Sequence, residues 1–379
     1  MIRKVCVVIT ARASYSRIKT ALVAIKKHPD LQLILVVTSS AVLEKYGKVV
    51  SQIENDGFEI AYQLHNILEG NSPVVAVKTT GLAMIELSSI FDQMKPDVVL
   101  TIADRFETLA TATAAAYMNV PLVHIQGGEI TGSIDDKVRN AITQLADIHF
   151  VASKNAKARV VSIGNKAENV FNTGCPSIDI ALKITKSPVI DFNIFQLYGG
   201  VGPRFDYSSG YIVVMQHPVT TEFSFSQSQI ECTTQAIKEL GIPTFWFWPN
   251  PDPGTDGIAK GIRTFREQNE NCLIHFFKNM ESSHFLKLLK NAYCLVGNSS
   301  VGIRECCALG VPVVNIGSRQ VGRERGKNVL DVDYNAEMIE QAIRYQIRHG
   351  HYSSDSIYGN GDSGEKIAEL LATISFQDL

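Results

Sequence analysis

The chain has 379 residues, 45% hydrophobic and 20% charged: a soluble, globular balance, too long for one ordinary core, so two domains are implied. A net charge of −2 excludes nucleic-acid binding through bulk positive charge, though not a local basic pocket for one phosphate group. Seven cysteines, an odd number without a CxxC pair, point to a reducing, cytoplasmic setting.

Arg3 and Lys4 precede the apolar run Val5-Cys6-Val7-Val8-Ile9, superficially like a signal peptide. The run is too short, and Arg12 and Arg17 follow without a small-residue cleavage site, so a first buried strand is expected. No stretch reads as the roughly 18 apolar residues of a membrane span. Strands are predicted at 5–10, 32–38, 98–103, 121–125, 148–152 and 170–172, with amphipathic helices at 16–27, 74–94 and 106–118. Such alternation implies a parallel sheet covered by helices on both faces.

From about 182 to 210 the pattern lapses into Tyr198-Gly199-Gly200-Val201-Gly202-Pro203 and Ser208-Ser209-Gly210, punctuation that suits a domain boundary. It resumes with strands at 211–216, 244–248, 273–276, 293–296 and 312–316, and a closing helix at 365–374 is expected to return to the first domain. The expectation is an α/β chain of two Rossmann-like, doubly wound domains facing across a cleft, bounded at 1–185 and 186–355, with 356–379 as the returning loop and helix.

Two patterns are set aside. Gly359-Asn360-Gly361-Asp362-Ser363-Gly364 satisfies GxGxxG but follows polar residues rather than a buried strand, so it reads as a loop. Asp331-Val332-Asp333 resembles a cation-binding DxD but has no other hard ligands nearby and reads as a strand-end turn. Nine histidines form no HxxxH or Cys/His cluster, so no metal site is expected.

In doubly wound sheets ligands bind beyond the carboxyl ends of the strands, so the residues following each strand are the candidates. Arg12 follows the first strand and suits a pyrophosphate, with Ser16 as a helix cap; a solvated arginine on a capped helix is the plainer alternative. Asp104 follows a second strand and Glu129 a third, with Asp135 and Asp136 soon after. Asp104 alone could be an N-cap, but with Glu129 and Asp136 it could form a carboxylate cluster whose repulsion raises a pKa into proton-donor range. Arg105 and Arg139 could instead neutralise that cluster.

In the second half, Pro218 holds His217 extended at a strand tip, where a functional histidine competes with a structural one. Gly297-Asn298-Ser299-Ser300 opens a helix as an anion cradle, with Glu305 about one turn inside it and placed for ribose hydroxyls. Arg319 and Arg323 follow the next strand, and the Cys306-Cys307 pair reads as packing.

Taken in order, Arg12-Ala13 with Tyr15-Ser16, Asp104-Arg105-Phe106, Gln126-Gly127-Gly128-Glu129, Ile134-Asp135-Asp136, Arg139, Thr173-Gly174-Cys175-Pro176-Ser177, Gln216-His217-Pro218-Val219-Thr220-Thr221, Pro249-Asn250, Gly297-Asn298-Ser299-Ser300, Arg319-Gln320 and Tyr358-Gly359 closely resemble the hydrolysing UDP-N-acetylglucosamine 2-epimerases of bacterial sialic-acid biosynthesis. The resemblance implies the glycosyltransferase-B fold with neither metal nor nicotinamide cofactor. It implies loss of the C2 proton and of UDP from C1 to give a 2-acetamidoglucal, then addition of water to give N-acetylmannosamine. By motif position it makes Asp104, Glu129, Asp136 and His217 the catalytic group, and puts Arg12, Ser16, Arg105, Asn250, Ser299, Ser300, Glu305 and Arg319 at nucleotide contacts.

Ser14 stands where the family usually has an acidic residue, and Ala103 where it has glycine. The expected partners are a small nucleotide sugar and further copies of the chain, as a dimer or tetramer, with no nucleic acid and no membrane. Alternatives are a sister hydrolase acting on a 2,4-diacetamido-2,4,6-trideoxyhexose nucleotide, a glycosyltransferase of the same fold, and a silent nucleotide-sugar binder.

Overall fold

A computed structural model describes residues 2–44, 49–70, 72–131, 134–249 and 254–376. By its internal packing the chain divides into two compact units: Met1–Glu129, Ile134–Ile180 and Tyr358–Leu379 form one, and Ile130–Ser133 with Ala181–Ile357 form the other.

The first unit is built on a seven-stranded parallel sheet of β1 (Arg3–Ile9), β2 (Leu31–Thr38), β3 (Tyr62–Leu64), β4 (Val98–Ile102), β5 (Leu122–Ile125), β6 (Ile148–Val151) and β7 (Val170–Asn172), in the order β3-β2-β1-β4-β5-β6-β7. β1 is apolar from Val5 onward because both of its faces are covered. Val5, Val7 and Ile9 pack with Ile18 and Leu22 of the helix Arg12–Lys27, while Cys6 and Val8 pack with Leu87 and Phe91 of the helix Pro73–Met94. Ile9 ends level with Val37 of β2, so the strand ends line up along one edge.

The second unit repeats the plan with six parallel strands: β8 (Ile212–Met215), β9 (Thr244–Phe247), β10 (Ile274–Phe277), β11 (Leu295–Gly297), β12 (Val313–Ile316) and β13 (Val329–Val332), ordered β10-β9-β8-β11-β12-β13. Strand order reverses between β1 and β4 in one sheet and between β8 and β11 in the other, and this reversal opens a crevice at the carboxyl ends.

Several expectations need correction. Strands β3 and β13 and the helix Ile134–Leu145 escape the periodicity, the strands because they are short edge strands of mixed polarity. The expected turn at Asp331 lies within β13, where its carboxylate accepts from Asn315 Nδ2 at 2.7 Å and from Arg325. The lapse from 182 to 210 contains the end of the helix Pro176–Lys186 and a short helix, Ile194–Tyr198. Among the described residues, Pro73–Met94 is long and apolar enough by length and composition to cross a membrane. Lys78, Gly81 and Glu86 interrupt the apolar run, so the sequence carries no unbroken apolar span there.

The helix Ser363–Thr373 packs on the helix Arg12–Lys27, and Arg3 donates to Leu371 O. The Asp179 carboxylate accepts from the N–H groups of Ser363 at 3.0 Å and Gly364 at 2.8 Å, and from the Thr20 hydroxyl at 2.8 Å, so one buried side chain starts the last helix and ties it to the first.

Candidate active site

Along the carboxyl edge of the first sheet, β1 passes through extended Ala11 into a helix whose first residue is Arg12. Ser14 Oγ accepts from Ala11 N at 3.0 Å and donates to Ala11 O at 2.7 Å, so its side chain reaches back to the cap residue. Ser16 does not cap this helix: it lies in its second turn and donates to Arg12 O at 3.0 Å. Burial lowers the pKa of the Arg12 guanidinium from its usual value.

β4 leaves the sheet through Ala103 at φ +70° and β5 through Gln126 at φ +66°, two neighbouring left-handed residues that are not glycine. Such conformations cost an L-residue roughly 1–2 kcal/mol. After Ala103 the chain turns sharply, and the cap position of the helix Phe106–Tyr117 falls to Arg105. Asp104 is therefore not the N-cap, and its carboxylate is bound by Arg139 instead. After Gln126, Gly128 at φ +77° brings the backbone so close to Ala156 O that a Cβ would lie 2.3 Å from it, and the turn delivers Glu129 to the same edge.

Arg139, only 1% exposed, gathers these residues. Its Nη1 donates to Glu129 O at 2.6 Å and to Asp136 Oδ1 at 2.5 Å, and its Nη2 donates to Asp104. Burial opposes its charge, but Asp104, Glu129 and Asp136 outweigh that and hold the guanidinium above its usual pKa. Of the two arrangements open to the cluster, repulsion or neutralisation, the contacts match the second through Arg139, whereas Arg105 turns to Glu107. Asp104, Glu129 and Asp136 do converge, around a buried cation that fixes two of the carboxylates. Three carboxylates against one guanidinium leave the group net negative, which suits proton transfer.

Beneath them, His124 of β5 reaches Ala103 O through Nε2 at 2.9 Å and Thr143 Oγ1 through Nδ1 at 3.1 Å. Burial lowers its pKa to about 3, so the ring is neutral, donating to Ala103 O and accepting at Nδ1. Arg105 forks onto buried Glu107 at 3.0 and 3.1 Å. The sequence pattern points to neither His124 nor Glu107, since each lies inside a regular element.

In the second unit the corresponding edge carries His217, Asn298, Ser299, Ser300 and Arg319. Gly297 at φ +128° ends β11, where a Cβ would sit 2.1 Å from Met215 O; only glycine lets β8 and β11 end side by side. Asn298, fully buried, then clasps His217: its Oδ1 accepts from His217 N at 2.7 Å and its Nδ2 donates to His217 O at 2.8 Å. Asn298 O in turn accepts from Arg319 Nη1 at 3.1 Å and Gln320 Nε2 at 2.9 Å.

Ser299 is an N-cap, accepting from Val301 N at 3.4 Å, but its helix runs only from Ser300 to Ile303 before breaking at Arg304. So short a helix sums few peptide dipoles, and Arg319 adds positive charge beside its start, where it donates to Asn298 O. Glu305 is not one turn inside that helix; it starts the next, Glu305–Leu309. It is 7% exposed, and its Oε2 has no hydrogen-bond partner among the described residues. Cys306 and Cys307 are buried, and burial pushes the Cys307 thiol up to about 12, so this pair is packing rather than chemistry. Asn250 lies outside the described residues.

Two parallel sheets, each with polar and charged groups at its strand-order reversal, define an α/β chain of the glycosyltransferase-B fold. The family model for UDP-N-acetylglucosamine 2-epimerase matches residues 23–372, and the chain belongs to that family. It is 32% identical to a hydrolysing UDP-N,N'-diacetylbacillosamine 2-epimerase of Legionella pneumophila, over 99% of this chain and 97% of that one. It is also 32% identical to a UDP-N-acetylglucosamine 2-epimerase of Neisseria meningitidis serogroup B, over 98% and 95%. In fold it is similar to a crystal structure of a Neisseria meningitidis UDP-GlcNAc 2-epimerase bound to UDP-GlcNAc, with a TM-score of 0.80 and 20% identity over 98% of this chain and 100% of that one.

Proposed function

We infer that the chain is a hydrolysing epimerase that converts UDP-N-acetylglucosamine and water to N-acetylmannosamine and UDP, supplying sialic-acid biosynthesis. The observation that carries this reading is the convergence of Asp104, Glu129 and Asp136 on Arg139 at the strand-order reversal of the first sheet.

A C2 proton on a sugar is only weakly acidic, because no carbonyl lies alpha to it. Its removal is therefore coupled to departure of a good leaving group. A carboxylate takes the C2 proton, the C1–O bond breaks with its electron pair leaving on UDP, and a 2-acetamidoglucal results. Water then adds its oxygen to C1 while a proton returns to C2 on the opposite face. Asp104, Glu129, Asp136 and His217 supply the base and acid, each typically contributing about 10²–10⁴-fold. Arg319 and the N–H groups at Ser299 and Ser300 stabilise the developing diphosphate charge. The open Oε2 of Glu305 suits a ribose hydroxyl. Fixing the carboxylates with Arg139 pre-sets their orientation, which lowers the reorganisation needed at the transition state.

A second reading, the diacetamido-trideoxyhexose nucleotide as substrate, is favoured by the Legionella pneumophila relative at the same 32% identity. One experiment addresses both. Each nucleotide sugar is incubated with the chain in deuterated water and followed by NMR. Free N-acetylmannosamine carrying deuterium at C2 is the expected product. Retention of the original C2 hydrogen would rule out elimination, and turnover of only the diacetamido substrate would move the reading to the sister enzyme.

A further inference from the structure

Glu222 brings a carboxylate to the loop that carries Arg319, yet the two do not pair. Glu222 follows β8 by way of His217 and Pro218, in the short segment Thr220–Phe225, and its half-buried side chain is shared between two neutral donors. Ser318 Oγ donates to Oε1, and Gln229 Nε2 donates to Oε2 at 2.7 Å. Ser318 opens the turn Ser318–Gln320, so the carboxylate is held by the residue that directly precedes Arg319.

Arg319 is anchored by one hydrogen bond, from Nη1 to Asn298 O at 3.1 Å, and it has no carboxylate partner among the described residues. Its Nε and Nη2 donors are thereby open to an incoming anion. The charges of Glu222 and Arg319 are nevertheless close enough for one hydroxyl to feel both. Burial raises the pKa of Tyr334 and the charge of Glu222 raises it further, while Asn298 and Arg319 lower it. The Tyr334 ring packs on the same turn, since a Cβ on Gly317 would stand 2.3 Å from it.

We propose that Ser318 and Gln229 are positioning residues that hold the Glu222 carboxylate off Arg319, leaving the guanidinium unpaired for the diphosphate of the substrate. This rests on the reading that Arg319 receives that diphosphate. A guanidinium binds carboxylate and phosphate through the same planar fork of donors, so either anion excludes the other. A carboxylate also accepts more strongly than a neutral amide, which makes Glu222 a firm brace for the turn. The same charge quenches Arg319 once the oxygen facing Ser318 is released. Gln229 is itself fixed: it is buried, its carbonyl faces Gln216 Nε2 at 3.5 Å, and Gln216 Oε1 accepts from Thr233 Oγ1 at 2.6 Å.

Calorimetry with UDP on the full chain tests the proposal. Ser318→Ala should weaken UDP binding about five-fold, the upper range for a partly exposed ion pair, because the freed carboxylate turns to Arg319. Ser318→Thr, which keeps the hydroxyl, should bind as the wild type does. Glu222→Gln alone should bind UDP no more weakly than the wild type, and Ser318→Ala with Glu222→Gln should recover wild-type affinity. A bridge that only braced the loop would instead make Glu222→Gln weaken binding as Ser318→Ala does, and that result would overturn the proposal. NMR gives a readout independent of UDP: the Arg319 Nε–H resonance should move in ligand-free Ser318→Ala and return in the double variant. Arg319→Ala separates the proposal from the function it rests on. Wild-type binding that is lost in Arg319→Ala, with Ser318→Ala unaffected or the double variant no better than it, would overturn the proposal and leave the function standing. A wild type that does not bind UDP, or binds it equally well after Arg319→Ala, would overturn both.

Discussion

Asn298 holds both backbone polar groups of His217, accepting from its N–H at 2.7 Å and donating to its carbonyl at 2.8 Å, although the two residues are 81 apart in sequence. The ends of β8 and β11 are thereby fixed as one unit. Asn298→Ala strands two buried groups, and at about 1–3 kcal/mol each the unfolding free energy should fall by roughly 2–6 kcal/mol. Urea unfolding reads this directly, and an unchanged midpoint would remove the clasp as a structural element.

Arg139 should behave as a keystone rather than as one ion pair among many. Arg139→Met should cost about 3–5 kcal/mol, because it leaves partly buried Asp104 and Asp136 uncompensated. Adding Asp104→Asn should recover part of the loss, so that the double variant is more stable than additivity predicts. Arg139→Lys should rescue little, since an ammonium cannot span three acceptors as a guanidinium does. A strictly additive double-mutant cycle would contradict this.

Stability should fall as pH drops below about 6.5. His124 and His149 have pKa values lowered by burial to about 3 and about 4, so the unfolded chain binds protons in that window that the folded chain does not. Their contribution is complete above pH 6.5 and is lost as pH falls towards 4, then 3, with a slope of up to about 1.4 kcal/mol per pH unit for each ring. NMR of the ring nitrogens should show both histidines neutral between pH 8 and 5. A titration midpoint near 6.5 for either one would contradict the assignment.

Ala103→Gly should stabilise the fold. Ala103 sits at φ +70°, which glycine adopts without a Cβ clash, and the gain should be up to about 1 kcal/mol after glycine's extra unfolded-state entropy is subtracted. Ala103→Val should be destabilising in the same denaturation assay. If glycine proved destabilising, backbone strain would not be what decides which residue this turn accepts.

Under the proposed function the two units divide the work. Ser300→Ala and Glu305→Gln should weaken UDP binding and raise KM. Asp104→Asn and Glu129→Gln should lower kcat while leaving UDP affinity near normal, as expected when an interaction made in the transition state is lost. Calorimetry with UDP beside steady-state kinetics separates these. Loss of UDP binding in Glu129→Gln but not in Glu305→Gln would reverse the roles.

The strands that build the two sheets were legible because they are buried on both faces and read as unbroken apolar runs; Val5 to Ile9 is an example. Tyr62–Leu64 was not legible, because an edge strand of three residues carries no period. At the candidate site, residue types after each strand pointed to Asp104, Glu129 and His217. Their wiring did not follow from that pattern. Arg139 is one helical turn after Asp136, yet its other partners lie 35 and 10 residues away. The end of a helix likewise depends on contacts made elsewhere, so Ser16 looked like a cap, whereas Ala11 holds the cap position and Ser14, inside the first turn, reaches back to it.

The Asp179 carboxylate that starts the last helix has a consequence for the order in which the molecule is made. The first unit needs residues 358–376 to cover the helix Arg12–Lys27, but the whole second unit is encoded between them. At about 5–20 residues per second, the ribosome takes roughly 10–35 s to travel from 180 to 358. Throughout that interval the helix Arg12–Lys27 lacks its outer layer, and the second sheet is free to close before the first is finished. The segment 358–376, made after the second unit, therefore acts as a bolt, and a chain released after residue 357 should be cut by protease in its first half while its second half resists.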